Sequence, residues 1–133
     1  MPAPIAELKE FAARYTAAWC SHDAARVAAF FADDGTLTIN DNEPAVGRRA
    51  ISEATQSFMS AFPDLQVTMD ELKVDGDLVE YHWTLTGRNT GPGGRGNRAR
   101  ISGVEHWEFD HDGLIRSSRG RFDSGEYRRQ LAL

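Results

Sequence analysis

The sequence predicts an α+β fold in which three N-terminal helices pack on one face of a curved antiparallel sheet that encloses a pocket. Apolar residues recur at helical spacing up to about residue 62 and at alternate positions from residue 65 onward. The helical segments all precede the run of strands, an order that segregates helices onto one face of a meander instead of alternating them with parallel strands. At 133 residues the chain reads as one domain, 1–133, large enough to bury roughly two thirds of its unfolded surface.

Ile5, Leu8, Ala12, Tyr15 and Trp19 form the inner stripe of a first helix. Asp23 caps a second, with Val27, Phe30 and Phe31 inward until "DDG" at 33–35 stops it. "TLTI" at 36–39 is a short strand. After a turn at Gly47, Ile51, Thr55, Phe58 and Phe62 line a third helix that Pro63 ends. The strand "LQVTMDELKV" at 65–74 changes phase near Asp70 and Glu71, the signature of a bulge. "DGD" at 75–77 turns the chain into "LVEYHWTLTG" at 78–87, and the Gly-rich 88–98 segment reads as a mobile hairpin loop. That loop is no phosphate-binding fingerprint, which requires a helix after the glycines. "ARISGVEHWEFD" and "LIRSSRGRF" complete the strands, joined by "HDG" at 111–113.

Composition narrows the function. No apolar run approaches the ~18 residues of a membrane span, and the start lacks the basic and apolar regions of a secretory leader, so the cytoplasm is the expected compartment. Cys20 is the sole cysteine, without an internal partner for a disulfide. A net charge of −5 argues against nucleic-acid binding, which needs a basic surface. The charge is uneven: residues 1–85 carry 6 basic and 14 acidic side chains, residues 86–133 carry 9 and 6. The basic C-terminal part suits an anionic ligand or the acidic half of a partner subunit, or is a set of solvated arginines.

Strand parity assigns the faces. Val79, Tyr81, Trp83 and Leu85 share the side toward the helices, whereas Glu80, His82, Thr84 and Thr86 share the other. A loop symmetric about residue 94 sets His82 against His106 outside and leaves Ile101, Gly103, Glu105 and Trp107 inside. Ser118, Gly120 and Phe122 are then inward on the last strand, and Glu105 lies opposite Ser118 or Gly120. A carboxylate among Trp107, Trp83, Tyr15 and Phe62 loses hydration, which raises its pKa. Otherwise Glu105 is a sheet-edge charge paired with Arg100 or Arg116.

"RYTAAWCSHDAARVAAFFADDGTLT" at 14–38 resembles the opening of the ketosteroid isomerase-like members of the NTF2-like superfamily, and "GVEHWEFDHDGLIRSSRGRFD" at 103–123 resembles their last two strands. "FDSGEYRRQL" at 122–131 is similar to the close of the SnoaL-like polyketide cyclase branch. The resemblance implies an NTF2-like (cystatin-like) cone. It places Tyr15 at the oxyanion-hole tyrosine and Glu105 at the protonated aspartate beside it. The isomerase base falls on Ile39, which accepts no proton, with Asp41 two residues on. The acid of the epoxide hydrolases falls on Gly120, and the aspartate common in the cyclase branch falls on Asp123.

The resulting expectation is a pocket for a small apolar molecule, with proton transfer next to a carbonyl on a polyketide-like or terpenoid substrate. Tyr15, Glu105, Asp123, His106 and Asp41 are the candidate catalytic residues. Trp19, Phe58, Phe62, Tyr81, Trp83, Trp107, Gly120 and Phe122 are the candidate ligand-binding residues. Asp123 also fits a capping box, because "DSGE" has the required spacing. His82 and His106 read as a wet homodimer face, as two weakly spaced metal ligands, or as a base turned inward by a bulge. No cofactor and no metal are expected. The competing class is a non-catalytic ligand-binding or interaction homodimer.

Overall fold

The computed structural model describes residues 4–132. Helix α1 (Ile5–Cys20) buries Leu8, Ala12, Tyr15 and Ala18. Its stripe follows the predicted spacing except at Ile5, which is 49% exposed. Asp23 caps α2 (Ala24–Ala28) by accepting the Ala25 N–H at 3.1 Å. This helix is shorter than predicted. It ends at Ala28, and Phe31, in place of extending it, opens strand β1 (Phe31–Ile39). Phe31 is fully buried and pairs with Ile115 near the other end of the chain, so a tertiary contact overrides local helical preference. The "DDG" run is absorbed as an irregularity in β1, where the register slips between Phe31 and Thr36.

A two-residue strand, β2 (Ala45–Val46), leads through Gly47, at φ +87°, into α3 (Gly47–Ala61). Phe62 caps α3 just before Pro63, which disfavours helical backbone in the residue ahead of it. Strands β3 (Gln66–Asp75), β4 (Leu78–Arg88), β5 (Arg98–Phe109) and β6 (Ile115–Phe122) form an antiparallel meander, and α4 (Ser124–Leu131) closes the described chain. The sheet order is β2-β1-β6-β5-β4-β3. The α+β architecture is the one the sequence predicts, except that β2 is added at the sheet edge, α4 makes a fourth helix, and β1 and β6 run parallel. The meander's last hairpin brings β6 back beside β1 from the far side of the sheet.

The bulge on β3 is present. Pairing passes from Met69–Trp83 to Glu71–His82, leaving Asp70 unpaired. The β4–β5 hairpin pairs Tyr81 with Glu105 and His82 with Val104, two residues from the expected His82–His106 register. A two-residue difference preserves parity, so the faces are those predicted. The Gly-rich loop is pinned, contrary to expectation. Gly91 N–H donates to the Ala61 carbonyl at the end of α3, Gly96 N–H donates to Asn89, and Asn89 is buried. Gly91 is required there, because a Cβ would lie 2.0 Å from the Ser60 carbonyl oxygen.

The main core joins α1, α2 and α3 to the middle of the sheet through Tyr15, Val27, Phe31, Ile51, Tyr81 and Trp107. A second cluster of Phe62, Leu65, Val67, Leu85, Ala99 and Leu131 lies toward α4. Between them the sheet's concave face is left partly uncovered. No helix among the described residues is long and apolar enough to cross a membrane.

Candidate functional site

A cavity of about 60 Å3 lies on the concave face. Its walls are apolar: Trp19 from α1, Leu37 and Ile39 from β1, Phe58 from α3, Val67 from β3, Tyr81, Trp83 and Leu85 from β4, and Phe122 from β6. Gly120 and Glu105 complete the lining, and no basic residue contributes to it. The volume suits a few heavy atoms, since one water needs about 10–15 Å3 on a comparable measure.

Glu105 is 7% exposed, on a central strand between Tyr81 of β4 and Gly120 of β6. This excludes the sheet-edge alternative. Arg116 lies beside Glu108 at 3.9 Å, and the Arg100 backbone is tied to Gln130 of α4. Three donors converge on Glu105 Oε1: Ser118 Oγ at 2.7 Å, Trp107 Nε1 at 3.0 Å and the Tyr15 hydroxyl at 3.0 Å. Oε2 receives only a longer contact, 3.3 Å, from that same hydroxyl. Burial pushes the Glu105 pKa above its ordinary value, and the bonds from Trp107, Ser118 and Tyr15 partly oppose the rise. The site therefore holds a carboxylate that takes up a proton more readily than one in water, with one oxygen saturated and the other nearly free.

Tyr15 is fully buried, and burial together with the Glu105 charge pushes its pKa well above the ordinary phenol value. It contacts Trp107, Tyr81, Phe30 and Phe31 edge-on or tilted, and it does not line the cavity. Its hydroxyl is spent on Glu105, so its place is behind the carboxylate, short of the ligand space. Trp107 stacks on Tyr81 at 4.7 Å and likewise sits behind the wall. The Tyr81 ring forms part of the wall, with its hydroxyl paired to Thr16 Oγ1. Burial raises the Tyr81 pKa too, so the phenol stays neutral.

Of the other candidates, Trp19, Phe58, Tyr81, Trp83, Gly120 and Phe122 line the cavity, whereas Phe62 belongs to the second cluster. Asp41, His106 and Asp123 lie outside the lining, each for a local reason. Asn40 takes a left-handed turn at φ 52° and accepts the Phe122 N–H, ending β1 before Asp41. Asp41 is left exposed, 3.4 Å from Arg121. His106 pairs with Glu80 and Arg119 on the outer face, and no bulge interrupts β4–β5 to turn it inward. Asp123 caps α4 through the Glu126 N–H at 3.0 Å. His82 bonds Glu80 at 3.1 Å, and among the described residues no group of three or more His, Cys, Asp or Glu is placed to hold a metal.

The Ser118 hydroxyl was read from the sequence only as small and inward, yet it makes the shortest bond to Glu105. Leu37, Ile39, Val67 and Leu85 were missed as lining; the alternation of "TLTI", of "LQVT" and of "LVEYHWTLTG" carried that signal. Buried Trp83 Nε1 has no hydrogen-bond partner, an arrangement that costs about 1–3 kcal/mol when unrelieved.

A family model described as a SnoaL-like domain matches residues 12–118. The chain belongs to the SnoaL-like domain family. Solved structures agree with this. A SnoaL-like polyketide cyclase-type protein from Jannaschia sp. CCS1 superposes with a TM-score of 0.84 at 18% identity, covering 99% of this chain and 96% of that one. TsrD from Streptomyces laurentii gives 0.83 at 22% identity, covering 98% of both. A protein with a ketosteroid isomerase-like fold from Catenulispora acidiphila, in complex with trimethylamine, gives 0.81 at 19% identity, covering 93% of both. No curated protein matches. In this SnoaL-like chain the fold of those relatives carries a small aromatic cavity with one buried carboxylate.

Proposed function

We propose that this SnoaL-like protein binds a small, largely apolar carbonyl compound in the concave cavity and moves a proton on the carbon next to the carbonyl, with Glu105 as the proton carrier. The observation that supports this is the asymmetry of Glu105. Oε1 is fixed by three donors, while Oε2 has acceptor capacity left, in a desolvated site where a carboxylate is a stronger base than in water. Tyr15 then positions the base from behind. The absence of basic lining residues leaves Glu105 unneutralised, and the small volume limits the ligand to a compact molecule or to one end of a larger one.

The test is α-deuteration of cyclopentanone in D2O, followed by NMR. Wild-type protein should accelerate exchange over buffer, and Glu105→Gln should lower that rate at least tenfold with the fold retained. Exchange undiminished in Glu105→Gln would remove the role. A non-catalytic binding reading has its own support in the aromatic walls around a carboxylate, which suit a small alkylammonium, and in the trimethylamine bound by the Catenulispora protein. It predicts tighter binding of trimethylammonium than of cyclopentanone, and no exchange. In either case we propose a homodimer formed through the outer sheet face.

A further inference from the structure

The chain has 12 glycines, and the backbone accounts for all but one. Of these, 5 take left-handed backbone at positive φ. Another 6 are close-contact positions, where a Cβ would come within 3.3 Å of a neighbouring atom; at Gly103 it would lie 2.5 Å from the Arg121 carbonyl oxygen. Gly120 has neither constraint. Its φ is not left-handed, and a Cβ there would meet only Glu105 Cγ at 3.6 Å and the Thr38 carbonyl oxygen at 3.7 Å, both ordinary van der Waals distances. Glycine inside a strand costs conformational entropy and packs against nothing, so the fold itself gains nothing from it at this position.

What Gly120 does is lower the cavity floor. One cross-strand row runs through Tyr81 of β4, Glu105 of β5, Gly120 of β6 and Ile39 of β1, and all four residues line the cavity. Three of them carry large side chains. The fourth keeps the space beside the Glu105 side chain open. The row is also fixed. β6 pairs with β5 on one side and β1 on the other, and the Gly120 carbonyl accepts the Asn40 N–H at 2.8 Å, so no strand is free to shift into the gap. In a cavity of about 60 Å3, where one water needs about 10–15 Å3 on a comparable measure, a methyl group of similar size takes a substantial share.

We propose that Gly120 is the size-determining residue of this cavity: the ligand carbon beside Glu105 rests against the Gly120 Cα, in the space that a side chain would fill. This rests on the cavity being the ligand site, which both readings above share, and is independent of proton transfer. A glycine inside a strand suits the close approach of a ligand to the backbone. The ligand class is a compact apolar ring or branched group whose width is limited where β6 flanks the carboxylate. A group wider by one methylene than the gap meets the β6 backbone, which does not yield as the end of a side chain does.

Gly120→Ala puts one methyl into that space. Thermal unfolding should give a melting temperature equal to or above that of the wild type, because the methyl meets no strained contact and alanine restricts the unfolded chain. Binding is read from the methyl signals of the wall residues Leu37, Val67 and Leu85, titrated with cyclopentanone and with cyclobutanone, which is one methylene smaller. The ratio of the two affinities should move at least tenfold toward cyclobutanone in the variant, about what one methylene is worth in an apolar pocket. A lowered melting temperature would show that the fold needs this glycine and would overturn the proposal. An unchanged affinity ratio in a folded variant would overturn it equally. Failure of both ketones to move the wall methyls of the wild type would overturn the cavity reading and this proposal together. The deuteration comparison in Glu105→Gln reads proton transfer alone, so the two ideas fail by different measurements.

Discussion

Glu105 concentrates the site's physics in one side chain. Its carboxylate is held by neutral donors without a neighbouring cation, so burial dominates and its pKa lies above the ordinary value near 4.5. The folded state therefore binds a proton where the unfolded chain has released it. Glu105 contributes stability that is fully present below the unfolded pKa and is lost as pH rises through the folded one. Urea unfolding from pH 4 to 8 should show the wild type losing stability relative to Glu105→Gln as pH increases, then running parallel to it. The loss amounts to about 1.4 kcal/mol for each pH unit by which burial has raised the group. A wild type that instead loses stability relative to Glu105→Gln as pH falls would mean that the donors outweigh desolvation. Strand parity alone placed this residue inward, and "VEHWEF" carries that parity in its letters. The resemblance set Tyr15 beside it and parity set Ser118 and Trp107 near it, but which oxygen each donor bonds was not legible, because Tyr15 lies 90 positions away and only packing brings its hydroxyl to the carboxylate.

Secondary elements were legible where their own periodicity decides them and illegible where distant burial decides them. α1, α3 and the β3 bulge follow spacing and phase that can be counted. The end of α2 does not, because Phe31 is claimed by Ile115 across the sheet. The parallel junction of β1 with β6 was hidden for the same reason, since no local pattern records which edge a returning strand joins. The 88–98 loop was misjudged from composition. Its glycines read as freedom, yet Gly91 is a close-contact residue against Ser60 and Ala61, with a virtual Cβ 2.9 Å from Ala61 Cα. Gly91→Ala should destabilise the fold by about 1–3 kcal/mol, measured by thermal or urea unfolding, because backbone atoms cannot give way as a side-chain end can. Gly93 has φ +80° but nothing within 4 Å of a Cβ, so Gly93→Ala should disturb only the loop's own backbone and cost less.

At the scale of the molecule, the two sheet faces divide the work. The concave face builds the cavity; the outer face carries ordered charge. Glu80 of β4, His106 of β5 and Arg119 of β6 lie in one cross-strand row, with His82, Val104 and Arg121 in the next. Acid thus lies on one side of β5 and base on the other. A twofold axis over β5 would set Glu80 of one copy opposite Arg119 of the second, a self-complementary arrangement for an isologous interface. This supports the proposed homodimer, and sedimentation velocity should find a dimer at micromolar concentration. Arg119→Glu reverses the basic side and sets like charges across the axis, so it should raise the dimer dissociation constant at least tenfold. Adding Glu80→Arg to that variant should restore association, a rescue that loss of folding could not produce. Binding of cyclopentanone should be unchanged in both variants, because neither residue lines the cavity. A monomeric wild type, or a dimer indifferent to both changes, would remove the outer face from the assembly.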